Sequence, residues 1–311
     1  MQEQAFLAKL RRAALARTLP ALPAILSAKL PLSEAERAAL RLRAASKHQT
    51  SKTPLTTFAI PLVGNHQVSD WSVIEDTLAR CLRALIGQSD ANWRAVVCSQ
   101  TRPEACDLDP RISYLPFTAH VDGHDKVAKL NALADHICTE DAAPGFCMPL
   151  DGDDLLHRDF VKALHSQGAG GLLVSSGLIL NAATGDLCLT ETRKLNTPTQ
   201  KPFWKFCGSC MAIPTGRAPS AEHGFVTALA AHEHRLYPYL AHLAGIALHH
   251  STTPLALYII NHGENFETRR GRGGFKQRFA KRHALTGDAK RNALGGFPDA
   301  LALIRARKDG P

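Results

Sequence analysis

The sequence predicts an α/β fold, a mixed and mostly parallel sheet with flanking helices, extended by helical segments at both ends. Three observations carry that prediction. Short apolar runs at residues 58–63 (FAIPLV), 94–98 (RAVVC) and 145–150 (GFCMPL) alternate with stretches of helical periodicity, which is how a parallel sheet with crossover helices reads in sequence. Hydrophobic residues fill 45% of the 311 positions, enough to bury a large core. The formal charge of +9 is concentrated at the ends: ten Lys/Arg against three acids in residues 1–52, twelve against three in 269–311, and fifteen against twenty-two between.

Residues 1–52 read as two basic, Ala/Leu-rich helices. One covers residues 4–19, and the other starts at Ser33, an N-cap candidate followed by Glu34 and Glu36. Pro20, Pro23 and Pro31 separate them, and the polar segment 48–54 (HQTSKTP) has the composition of a linker. Residues 53–268 form the α/β domain. After the strand at 58–63, Trp71, Ile74, Leu78, Leu82 and Leu85 recur at helical spacing. A strand at 94–98, a helix marked by Val127, Leu130, Ala134 and Ile137, a strand at 145–150 and a helix near 157–165 follow. Runs at 172–180 and 187–190 flank the turn-like 181–186 (NAATGD) and predict a hairpin. A helical stretch over 225–243 precedes a last strand at 255–260, and residues 269–311 are a basic tail.

No run approaches the roughly 18 apolar residues of a membrane-spanning helix. The opening MQEQAFLAKLRRAALAR is broken by charges where a secretory signal would be apolar, so a cytoplasmic location is expected. Eight cysteines, several inside apolar runs, read as buried reduced thiols. Cys207-Gly-Ser-Cys210 has the spacing of half a zinc site or a redox pair, but no second pair accompanies it, and none of the fifteen histidines falls in a zinc-binding pattern.

The run Leu150-Asp151-Gly152-Asp153-Asp154 is the strongest chemical signal. Two carboxylates two residues apart, in a tight turn that Gly152 permits, can hold a divalent cation and leave positions open for diphosphate oxygens. The alternative is an acidic turn capping a helix that begins near Leu155. Its place at the end of a strand, where α/β folds bind ligands, favours the metal.

The motifs FAIP at 58–61, LRALIGQ at 82–88, NWRAVV at 92–97, Lys129-Leu-Asn131 and LDGDD at 150–154 occur in the order found in family 2-like glycosyltransferases with the GT-A fold, which the chain resembles over residues 57–265. The resemblance implies that backbone around Pro61 and Leu62 contacts the nucleotide base, that Lys129 and Asn131 lie near the ribose or phosphates, and that Asp151 binds the donor. It implies Asp153 as a ligand of Mn²⁺ or Mg²⁺, and a nucleotide-sugar donor whose sugar passes with inversion to a hydroxyl of a glycan or lipid-linked acceptor. Where many relatives carry an Asp that holds the base, this chain has Cys98-Ser99-Gln100, so Ser99 or Gln100 takes that part.

An inverting transfer needs a carboxylate to take the acceptor proton. Glu233, between two histidines in AHEH, is the candidate, with Asp186 a weaker one. His262, in NHGEN directly after an apolar strand, is a candidate metal or phosphate ligand. The tail residues Arg269, Arg270, Arg272, Lys276, Arg278, Lys281 and Arg282, interleaved with Phe275 and Phe279, suit peripheral contact with the inner face of a membrane, or else form a solvated tail. A nucleic-acid partner is disfavoured, because the net charge of the middle is acidic. The rival reading is a nucleotide- or glycan-binding protein without turnover.

Overall fold

The computed structural model describes residues 6–19, 30–45, 54–138, 144–216, 218–264 and 274–300. Most of the predicted linker at 48–54, together with Pro20, Pro23 and Arg269 to Arg272, lies outside them.

The domain is built on β1 (Leu55–Pro61), β2 (Trp93–Ser99), β3 (Ile112–Pro116) and β4 (Gly145–Pro149). β1 runs parallel to both β2 and β4, and β2 parallel to β3, with Pro61 opposite Cys98 and Ala59 opposite Pro149. Side chains alternate across this layer, as the two-residue period of a strand requires. Phe58, Ile60, Ala95 and Val97 enter one core with Leu78 and Leu82 of α3 (Trp71–Ile86), whereas Ala59, Val96 and Cys98 enter a second with Leu130, Leu133 and Ile137 of α4 (Lys126–Ile137). Each such buried leucine contributes about 1.5–3 kcal/mol. α3 starts at Asp70, whose carboxylate accepts from the backbone N–H of Ser72 at 2.9 Å.

Beyond β4 the chain makes β5 (Leu155–Leu156) and α5 (Phe160–His165). No helix begins at Leu155, so the helix-cap reading of Asp154 is wrong. The apolar run 172–180 is divided between two sheets. β6 (Gly171–Leu173) joins the main sheet, and β7 (Gly177–Asn181) pairs with β8 (Leu187–Thr190) as the predicted hairpin in the second. Four short strands that the sequence reading passed over are β3, β5, β9 (Met211–Thr215) and β10 (Leu248–His250). The stretch 225–243 is not one helix but α6 (Pro219–Ala230), a 3-10 turn at His234–Leu236, and α7 (Tyr237–Leu243).

With β11 (Ala256–Ile260), the sheet orders are β10-β6-β9-β4-β1-β2-β3 and β5-β11-β7-β8. β9 runs antiparallel to β4 and β6. The result is the predicted α/β architecture, a mixed and mostly parallel sheet with flanking helices.

The terminal segments pack onto this domain. α1 (Phe6–Thr18) and α2 (Glu34–Ala45) lie against α7, and α2 also against α6. Ser33 and Glu36 form a reciprocal capping box: the Ser33 N–H donates to Glu36 Oε2 at 2.8 Å, and the Glu36 N–H donates to Ser33 Oγ at 3.3 Å. The same carboxylate accepts from Arg11 at 2.9 Å and from the Tyr239 hydroxyl at 2.8 Å. At the other end, α8 (Gly274–Arg282) sets Phe275 and Phe279 against Phe206, with the Phe206 and Phe279 rings 4.6 Å apart, and α9 (Gly287–Ala293) follows. Phe279 is therefore core, not part of a solvated tail. Among the described residues, no helix is long and apolar enough to cross a membrane.

Candidate functional site

A cleft of about 330 Å³ opens where β1 and β4 end. Ligand sites fall there in parallel sheets because the loops at the carboxyl ends of adjacent strands converge. Pro61 and Leu62 line one wall. The Leu62 backbone is fully engaged, its N–H donating to Cys98 O at 2.9 Å and its carbonyl accepting from Lys129 Nζ at 2.6 Å. That pairing fixes the rim of the cleft.

Asp151, Gly152 and Asp153 line the floor. A Cβ at Gly152 would come within 3.1 Å of Leu62 Cδ1 and 3.3 Å of Leu78 Cδ1, so a side chain there would press those two leucines back by a few tenths of an ångström. Asp151 forms an ion pair with Lys126, the first residue of α4, and its N–H donates to Ser209 Oγ at 2.9 Å. Burial works against a charged Lys126, but Asp151 outweighs it and holds the ammonium above the usual lysine range.

Asp153 Oδ2 meets His262 Nε2 at 2.8 Å. His262 reaches it because the chain leaves β11 through a tight turn, with Asn261 at φ 59° and Gly263 at φ 105°. Both lie in the left-handed region that Asn and Gly tolerate. Burial pushes the Asp153 carboxyl up, but the hydrogen bond and charge of His262, aided by Lys126, bring it below the usual aspartate value.

Asp154 turns away from the cleft into the core. Its Oδ2 accepts from Ser209 Oγ at 2.6 Å and from Cys207 Sγ at 3.0 Å, while Oδ1 is buried with no hydrogen-bond partner among the described residues. Burial, reinforced by Asp153 and Asp151, raises this carboxyl well above the aspartate range. The three acids thus divide into a lysine-paired Asp151, a histidine-paired Asp153 and an inward Asp154. All eight cysteines are free, and Cys207 serves as a hydrogen-bond donor to that inward acid.

Other predicted residues stand elsewhere. Lys129 is fully buried and does not line the cleft: its ammonium is committed to Leu62 O and, at 2.8 Å, to Asp125. Ser99 is also fully buried and donates to Thr101 O at 2.6 Å. Gln100 reaches the cleft indirectly, through Asp125, to which it donates at 2.6 Å. Asn131, on α4, lies off the cleft with a buried Oδ1 that has no partner. Glu233 is exposed and is not a cleft residue, whereas its neighbour His234 is. The break in the helix after Ala230 produces this exchange, because it swings the second histidine of the AHEH segment inward.

Solved structures of TarS from S. aureus are similar to this chain. One is 12% identical with a TM-score of 0.38, over 66% of this chain and 37% of that one; a second, of residues 1–349, is 12% identical with a TM-score of 0.36, over 82% and 74%. The chain therefore spans well under two thirds of the first structure's length. No family model and no curated protein matches. Likeness at this level assigns neither a family nor an activity.

Among the cleft residues that escaped the sequence reading are Lys126, His234, Lys276 and Glu264. Lys126 was overshadowed by Lys129, three positions on, and His234 by Glu233. Lys276 sits on α8, in what read as a tail. It lines the cleft, is only 7% exposed, and donates to the Tyr258 hydroxyl at 2.9 Å. Glu264 holds the N–H groups of Ser69 and Asp70 with Oε1 at 3.1 Å each, while its Oε2 is buried with no hydrogen-bond partner among the described residues. Among the described residues, no group of three or more His, Cys, Asp or Glu is set to hold a metal. The Asp153–His262 pair is joined by a direct hydrogen bond of 2.8 Å; carboxylate and imidazole are both donor types that a divalent cation accepts.

Proposed function

We propose that this protein is a metal-dependent glycosyltransferase that moves a sugar from a nucleotide-diphosphate donor to a hydroxyl of a glycan or lipid-linked acceptor, with inversion. The observation that carries the reading is the meeting of Asp151, Asp153, His262 and Lys126 in one cleft beside Pro61 and Leu62. Asp153 and His262 would hold Mn²⁺ or Mg²⁺, and a metal bound there would offset charge on the departing diphosphate. Asp151 and the rim at Pro61 and Leu62 would receive the donor. Lys126 and Lys276, which line the same cleft, add fixed positive charge.

In the transfer, the acceptor oxygen forms a bond to the anomeric carbon from one face. The bond from that carbon to the diphosphate breaks on the other, and the nucleoside diphosphate leaves with the electron pair. Glu264, in place of Glu233, would take the proton that the acceptor hydroxyl loses as the new bond forms; among the described residues its Oε2 has no hydrogen-bond partner, and the residue lines the cleft. Lys129, Ser99 and Asn131 would act by holding the framework rather than by touching the donor. The basic terminal segments, with Leu7 and Leu10 exposed on α1, would supply peripheral contact with an anionic membrane carrying the acceptor. Co-sedimentation with anionic but not neutral vesicles, lost on reversing the α1 charges, is the expected result.

The second reading, a nucleotide- or glycan-binding protein without turnover, draws support from the exposed position of Glu233. Incubation with a panel of nucleotide-sugars and Mn²⁺ separates the two. Transfer or donor hydrolysis that collapses in Asp153→Ala supports the enzyme; tight binding with no turnover supports the binding protein.

A further inference from the structure

Ser209 lies behind the acidic turn and is only 1% exposed. Its Oγ accepts from the Asp151 N–H at 2.9 Å and donates to Asp154 Oδ2 at 2.6 Å. A hydroxyl has one hydrogen, so with the amide supplying the first bond, the hydroxyl's own hydrogen goes to the carboxylate. The turn is closed a second time by the Asp154 N–H, which donates to Asp151 O at 3.0 Å. Asp151 is thereby held at both of its backbone groups, once by Asp154 directly and once through Ser209.

The tie is itself braced. Cys207 Sγ donates to the same Asp154 oxygen at 3.0 Å and accepts the Ser209 N–H at 3.3 Å. Cys207, Ser209 and Asp154 are all buried. The segment that carries Ser209 is also a wall of the cleft. Phe206, Cys207 and Gly208 line it, and a Cβ at Gly208 would stand 3.7 Å from Asp151 Oδ2. One buried knot therefore fixes the acidic turn and the wall facing Asp151 relative to each other. Burying the Asp154 carboxyl costs free energy, and an apolar side chain would fill the space without that cost. What it could not do is hold Ser209.

We propose that Ser209 is a positioning residue: held by Asp154, its hydroxyl fixes the Asp151 backbone and with it the presentation of the Asp151 and Asp153 carboxylates to the ligand. The proposal rests on the reading under Proposed function, in which those carboxylates receive a divalent cation and a nucleotide diphosphate. Groups that orient a ligating residue from behind change metal affinity or activity by about 10–100-fold when removed, which sets the expected scale.

The test compares three variants of the full chain. Ser209→Ala removes the tie, and Ser209→Thr keeps the hydroxyl. Thr190→Val is the control, because Thr190 is also buried and its hydroxyl donates to Gly177 O at 2.9 Å in the second sheet, outside the cleft lining. Hydrogen exchange of the Asp151 amide is followed by NMR, and binding of a nucleoside diphosphate with Mn²⁺ by calorimetry. The expected result is an Asp151 amide that is protected in the native chain and in Thr190→Val and exchanges about tenfold faster in Ser209→Ala. Nucleotide binding with Mn²⁺ falls about 10–100-fold in Ser209→Ala, recovers in part in Ser209→Thr, and is unchanged in Thr190→Val.

An Asp151 amide that exchanges freely in the native chain overturns the proposal without any variant having to fold, and so does an equal loss of binding in Ser209→Ala and Thr190→Val. If the native chain binds no nucleotide with Mn²⁺ while Ser209→Ala frees the Asp151 amide, the transferase reading fails and the Ser209 tie stands. If the native chain and Ser209→Ala bind alike, the Ser209 proposal fails and the transferase reading stands.

Discussion

Lys129 donates from Nζ to the carbonyl of Leu62 at 2.6 Å, and so ties the first turn of α4 to the end of β1. It is also the i+4 partner of Asp125, at 2.8 Å. The buried ammonium therefore sets the cleft rim without lining the cleft. Replacing it with Met leaves Asp125 short of its main counter-charge. Breaking a buried pair in this way costs about 3–5 kcal/mol. Urea unfolding of Lys129→Met should show a loss on that scale; unchanged stability would mean that the pair does not brace the rim.

Acid should weaken the fold through a definable set of carboxyls. Burial tends to raise Glu36, Asp90 and Asp125, but each ends below its ordinary value. Hydrogen bonds from Arg11, Ser33 and Tyr239 outweigh burial at Glu36, from Asn92 and His165 at Asp90, and from Lys129 and Gln100 at Asp125. A carboxyl depressed in the folded state contributes stability that is full above its unfolded pKa and lost as pH falls through the folded one. With unfolded values of about 3.9 for Asp and 4.3 for Glu, the contribution of these three carboxyls should be full down to about pH 5 and be lost below pH 4. Glu36→Gln should lower the denaturant midpoint near pH 7 and flatten that loss. A Glu36→Gln curve parallel to the native one would remove Glu36 from the set.

The C-terminal segment should prove integral to the fold. Phe279 is 6% exposed, and α8 contacts β7 and β8. Phe279→Ala should cost about 3–5 kcal/mol, as aromatic truncation in a core does. Native-like thermal stability in that variant would show that α8 is detachable.

Much of this architecture could be read from the chain because periodicity and turn chemistry are local. The strand at 58–63, the helix carrying Leu78 and Leu82, and the Ser33 cap all declare themselves within a few residues. The misreadings share one cause, that they depend on distant partners. Leu172 and Leu180 look alike in sequence, yet Leu172 pairs with Ala212 in one sheet and Leu180 with Leu187 in the other. Met211–Thr215 lacks alternation because an interior strand is covered on both faces. Within the site, Asp151, Asp153 and His262 were legible from residue type at strand ends. The choice of Lys126 over Lys129 and of His234 over Glu233 was not, because the partners that decide it, Asp151 for Lys126, Asp125 and Leu62 for Lys129, and the turn after Ala230 for His234, are set by the fold. Lys276 was hidden by its basic neighbours, whose composition resembles a solvated tail.

The central claim is that Asp153 and His262 hold a divalent cation to which a nucleotide diphosphate binds. The most direct measurement is isothermal titration of the native protein, Asp153→Ala and His262→Ala with nucleoside diphosphates, each with and without Mn²⁺. Binding that requires Mn²⁺ in the native protein and weakens by roughly 10²-fold in both variants, the scale on which a group stabilising phosphate charge acts, is the predicted result. Nucleotide binding that is indifferent to Mn²⁺, or that survives unchanged in Asp153→Ala, would contradict it.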